Sequence, residues 1–274
     1  MFEFARAEPA AILAAAVFLG LLIGGLSALL ADRLLAPEHK QIGAFLPTRD
    51  AGTRLSRTGL LVVGLISAAA ATAALYPAIG GGHVFEVLAL VVLLIALLSS
   101  AWFDFWTRLV DLFVIIPAIV VVTLLRMLDG ALTKGPLFAG EPLLTSGAFR
   151  DQAQASALSP IVGILVLGAI TFVIWYLPGR AMAHFRAEID PDTGEQVEYA
   201  GLGDIWIWLL VGAALGPIEG VIALVLGVFI NGLISLALIV LSAVRRDAPF
   251  GHLYAMAPGI VAGVILVLAG VVGR

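Results

Sequence analysis

Three aspartates stand where long apolar runs of the chain begin or end. Asp104 closes one run in Ala101-Trp102-Phe103-Asp104-Phe105-Trp106, and Asp111 is followed at once by Leu112-Phe113-Val114-Ile115-Ile116. Asp204 ends Gly201-Leu202-Gly203-Asp204 and precedes Ile205-Trp206-Ile207-Trp208. An ionised Asp costs about 2.5–3.5 kcal/mol at the centre of a membrane helix on insertion scales, so an acid beside such a run calls for a reason. Two carboxyl groups brought together in a partly dry site share one proton, so that one can act as a base and the other as an acid. That is the chemistry of aspartic proteolysis: one Asp takes a proton from a water attacking a peptide carbonyl, and the other supplies a proton. Asp104 and Asp111 are seven positions apart, and an uninterrupted helix would place both on one stripe. Glycine at 201 and 203 lets the backbone turn sharply and lets another chain approach closely. The same four residues also fit a plain loop-to-helix turn with Asp204 as its N-cap.

The elements that must hold these acids are helices in lipid. Of 274 residues, 61% are hydrophobic and 12% charged, and the mean hydropathy is +1.10. A soluble domain has about 25% charged residues, so this chain cannot cover a water-facing surface with polar groups. A spanning helix needs roughly 20 apolar residues, which predicts an all-α polytopic membrane protein of about eight transmembrane helices. They fall near Pro9–Leu35, Thr58–Ala78, Val84–Phe103, Leu109–Leu128, Pro160–Leu177, Ile205–Leu215, Ile218–Val244 and Leu253–Val272. The sixth is short, runs into Gly216-Pro217, and reads as a half-depth helix.

Basic residues resist translocation, so their distribution sets an orientation. Arg33, Lys40, Arg49, Arg54, Arg57, Arg108, Arg180, Arg186, Arg245 and Arg246 lie in alternate connections, against Arg6, Arg126, Lys134, Arg150 and Arg274 on the opposite side. The first set is expected in the cytoplasm, with all three aspartates, and both termini outside. Residues 1–274 then form a single integral membrane domain with a short cytoplasmic loop at 34–57, an external loop at 129–159 and an acidic cytoplasmic loop at 179–203. In the last, Glu188, Asp190, Asp192, Glu195 and Glu198 form an acidic run that lacks the ligand spacing of a calcium loop.

The absence of cysteine excludes a disulfide framework and a Cys nucleophile. His39, His83, His184 and His252 are scattered without metal-ligand spacing, so neither metal nor cofactor is expected. A net charge of −4 gives no reason for a nucleic-acid partner. Trp102, Trp106, Trp206 and Trp208 read as an interfacial belt, Glu86 as an interfacial acid, Asn231 as an amide bonding another helix, and Pro117 as a kink in the fourth span.

The motif around Asp204 resembles the signature of the type IV prepilin peptidases, the Gly-x-Gly-Asp membrane aspartic proteases that include archaeal preflagellin peptidases. Gly201-Leu202-Gly203-Asp204 followed by Leu210-Val211-Gly212-Ala213-Ala214-Leu215-Gly216 looks like the family's second aspartate motif and its Gly-containing helix. Phe103-Asp104-Phe105-Trp106-Thr107-Arg108-Leu109-Val110-Asp111 looks like the first, and Ala248-Pro249-Phe250-Gly251 resembles the opening of the last helix. Gly20-Leu21-Leu22-Ile23-Gly24-Gly25 faintly echoes the first helix. The resemblance implies a catalytic pair of Asp104 and Asp204. Gly201, Gly203, Arg108 and Asp111 support the motifs, with Asp111 an accessory rather than a catalytic acid. It further implies cleavage of the basic leader of a prepilin or pseudopilin at the cytoplasmic face of a prokaryotic inner membrane, beside secretion or pilus assembly components. The cysteine-bearing region of the methylating members is absent from Leu34–Ser56, so the resemblance does not extend to methyltransferase activity. Trp206 stands where the family has Lys, and Leu109-Val110-Asp111 lacks the usual Pro. Those departures also fit a catalytically inactive homologue serving as a membrane scaffold or assembly factor. Paired membrane acids can belong to a proton-coupled transporter as well, although such proteins place them near mid-membrane and repeat their architecture.

Overall fold

A computed structural model of the chain describes residues 9–34, 57–81, 84–107, 110–133, 157–176, 202–244 and 257–270. These residues form seven helices: α1 (Pro9–Leu34), α2 (Arg57–Gly81), α3 (Val84–Thr107), α4 (Leu112–Thr133), α5 (Ser159–Thr171), α6 (Leu202–Val244) and α7 (Ala257–Leu268). A π-helical turn, Phe172–Tyr176, continues α5. No strand occurs among the described residues.

Five of these helices, not eight, are long and apolar enough to cross a membrane: α1, α2, α3, α4 and α6. This is a multi-pass membrane architecture. Two of the expected spans are represented among the described residues by shorter helices, α5 with 13 residues before its π-helical turn and α7 with 12. The expected sixth and seventh are limbs of one element, α6, divided at Gly216. There φ is 76° and ψ is −174°, a conformation open to glycine because it has no Cβ. Pro217 follows and offers no N–H to the preceding turn. The chain reverses at this point. A Cβ placed on Gly227 would lie 3.2 Å from the Trp208 ring, whereas 19 residues of straight helix would separate the two positions by about 28 Å. The first limb, residues 202–215, is about 21 Å long against a hydrocarbon core of about 30 Å, and so turns back at partial depth.

Helices in lipid gain little from burying apolar surface against one another, so close backbone packing holds them together. The α1–α2 pair shows this: a Cβ on Gly24 would come within 2.7 Å of the Ala68 nitrogen, and Thr72 Oγ1 reaches across to Ala16 O at 3.4 Å. The interior is filled by Leu93, Leu94 and Leu97 of α3, Ile207 and Leu210 of α6, and Ile260 of α7. Leu21 and Leu29 of α1, Leu61 and Leu65 of α2 and Val120 and Leu124 of α4 face outward. Such an outward surface suits hydrocarbon rather than water.

Several side chains differ from the sequence expectation. Trp208 is 2% exposed and packs inside the bundle, so it does not belong to an interfacial belt. Trp102 is half-buried and its Nε1 donates to Ser67 Oγ at 2.9 Å. Residues 129–133 complete α4, and Asp129 is 6% exposed, so the connection expected at 129–159 starts later. The 34–57 and 179–203 loops lie outside the described residues except at their helical ends.

Candidate active site

Asp104 sits near the C-terminal end of α3 and is only 5% exposed. The helix feeds it from a strongly apolar run into the middle of the bundle. Its Oδ2 accepts a hydrogen bond from the backbone N–H of Ala257, the first residue of α7, at 3.0 Å. A helix leaves its first N–H groups without internal partners, and the N-terminal end favours negative charge, so a buried carboxylate is a natural acceptor there.

Asp204 lies in the first turn of α6 and is half-buried. The helix already begins at Leu202, so Asp204 is inside the turn rather than an N-cap. Its carboxyl group is within electrostatic reach of Asp104. The ends of α3 and α6 thus place two acids separated by 100 positions of sequence within electrostatic reach of each other.

Gly203 explains how the α6 end comes so close to the chain leaving α3. A Cβ on Gly203 would stand 2.7 Å from Val110 Cβ and 3.0 Å from its Cγ2. The neighbour that this glycine admits is Val110 of the same chain.

Asp111 has a different task. The stretch from Asp104 to Asp111 is not one helix: α3 ends at Thr107, residues 110 and 111 are non-helical, and α4 starts at Leu112. The shared stripe expected from the seven-residue spacing is therefore absent. Asp111 Oδ1 accepts from the Phe113 N–H at 2.8 Å, and its carbonyl accepts from the Ile115 N–H at 3.2 Å. It is the N-cap of α4. Arg108 and Gly201, also named from the sequence, lie outside the described residues.

One feature was not anticipated. The Ala257 N–H carries no side-chain signature, and only the fold brings it to Asp104 across 153 positions. Asn231, on the second limb of α6, lies against Gly259 in the first turn of α7, where a Cβ on the glycine would overlap its carboxamide. Asn231 does face another helix, and that helix is the one that contacts Asp104.

At the opposite end of the α3–α4 pair, Arg126 Nη1 lies 2.8 Å from Glu86 Oε1. Among the described residues no group of three or more His, Asp or Glu is placed to hold a metal ion. Two carboxyl groups within electrostatic reach of each other, one held by a backbone donor, can exchange protons with a water and a polarised carbonyl where substrate brings them to it. No protein-family model, curated protein or solved structure matches the chain.

Proposed function

We propose that the chain is a membrane aspartic endopeptidase that cleaves the basic leader peptides of type IV prepilin-like proteins at the cytoplasmic face of a prokaryotic inner membrane. The observation that supports this is that Asp104, buried near the end of α3, lies within electrostatic reach of Asp204 at the start of α6. The resemblance of their two sequence motifs to the prepilin peptidases supplies the substrate class.

In the proposed reaction one carboxylate removes a proton from water as the oxygen attacks the scissile carbonyl. The partner carboxylic acid gives its proton to the carbonyl oxygen. Collapse of the tetrahedral gem-diol breaks the C–N bond: one of its hydroxyl protons returns to the carboxylate that had protonated the carbonyl oxygen, and the proton taken from water passes to the leaving amine. The two acids end with one proton between them, as they began. The acidic run at Glu188, Asp190, Asp192, Glu195 and Glu198 would favour a basic leader by charge complementarity.

The test is cleavage of a leader-bearing pilin precursor by the purified protein in lipid vesicles. The expected result is one cut that releases the leader, lost in Asp104→Ala and in Asp204→Ala. Cleavage undiminished by either substitution would overturn the assignment. Trp206, in place of the family's Lys, favours a second reading as an inactive homologue with a scaffolding role. Failure on several precursors together with retention of pilus or secretion assembly components would favour it.

A further inference from the structure

We propose that the first turn of α7 is the positioning element of Asp104, its Ala257 N–H fixing the direction in which the Asp104 carboxyl group faces Asp204. This inference rests on the peptidase function proposed above and assigns that site a part no side chain reveals. Asp104 is at the end of a helix, where a carboxyl group can rotate about its Cβ–Cγ bond. The bond from Ala257 at 3.0 Å pins Oδ2 and so removes that freedom. Both partners are buried, Ala257 at 1% and Asp104 at 5% exposure, so water does not compete for the contact.

The donor is itself held in place. Pro258, next in the chain, has no N–H, which leaves Ala257 as the donor at this point of the turn. One residue further on, Gly259 accepts the Asn231 carboxamide in the space a Cβ would fill. Asn231 belongs to the second limb of α6, whose first limb begins with Asp204. The register of the hairpin, with Trp208 opposite Gly227, sets Asn231 level with Asp204. The α6 hairpin thus seats the turn that orients Asp104 while carrying the opposing acid on its other limb. Ala257 is a positioning residue, acting through its backbone.

The test replaces Ala257 by lactic acid in the full chain, exchanging the amide for an ester that keeps the shape and removes the N–H. Turnover of a leader-bearing pilin precursor is then measured in vesicles. A hydrogen bond to a charged group contributes enough that kcat is expected to fall about 10- to 100-fold, with KM within about twofold. Ala257→Gly keeps the N–H and is expected to rescue kcat. A second pair covers the case in which the ester fails to fold. Gly259→Ala, pressing on Asn231, should lower kcat, and adding Asn231→Ala should recover part of it. An ester with ordinary kcat, or a loss that only tracks the fraction of folded protein, would overturn the positioning role while leaving the peptidase intact. A wild-type protein inert on every precursor would overturn both.

Discussion

The two ends of the α3–α4 helix pair handle charge in opposite ways. At one end Glu86 and Arg126 pair at 2.8 Å, each charge answering the other. At the other, two acids, Asp104 and Asp204, lie within electrostatic reach of each other, and Asp111 serves as a helix cap. An ion pair at the edge of a bundle is what stability alone selects. Like acids gathered in a buried place work against stability, and such sites are retained where they perform chemistry. The contrast separates residues that maintain the fold from those proposed to act on a substrate, although Glu86 and Asp104 lie on the same helix.

The largest effect is expected at the acid end. Asp104→Ala or Asp204→Ala should lower kcat on a pilin precursor by about 10²- to 10⁴-fold, the usual contribution of a positioned acid or base. Asp204→Asn should unfold at a temperature equal to or above that of the wild type, because it relieves the like-charge contact. A stability loss matching the activity loss would erase the distinction between the ends. Gly203→Ala should cost about 1–3 kcal/mol by overpacking against Val110, as read by thermal unfolding in detergent. Val110→Ala added to it should restore part of the loss. Asp111→Ala should cost about 1 kcal/mol of stability as a lost N-cap, and Asp111→Asn far less, since Asn caps well. A kinetic collapse in Asp111→Asn with unchanged stability would place Asp111 in the chemistry instead. Arg126→Gln should shift stability by about 0–1 kcal/mol, as for partly exposed ion pairs, and leave cleavage unchanged.

Much of the bundle was legible because hydropathy is a coarse and strong signal. Every apolar run named from the sequence lies at least partly in a helix, and the break at Gly216-Pro217 was visible from residue type alone. The span count was less legible, since two apolar runs are limbs of one element, α6, divided at Gly216. Asp104 and Asp204 stood out because acids beside lipid-length runs are costly. Asp111 stood out for the same reason, yet its role depends on whether helix continues from 104 to 111, and the non-helical Val110 and Asp111 interrupt it. Asp129 escaped notice because it was placed in a loop. Its spacing of three from Arg126 could have marked a continued helical face. Trp208 was assigned to an interface by its type, while the fold-back at Gly216 carries it inside. The Ala257 donor was invisible, since a backbone N–H reads the same at every position.

The chain has no cysteine, so paired substitutions report on proximity without background. The most direct measurement is cross-linking of Asp104→Cys with Asp204→Cys in vesicles by a short thiol-reactive reagent, identified by mass spectrometry. Glu86→Cys with Arg126→Cys serves as the reference contact from the opposite end. A cross-link between positions 104 and 204 as efficient as the reference is the predicted result. Efficient linkage of the reference pair with none between 104 and 204 would contradict a shared site and, with it, the proposed peptidase.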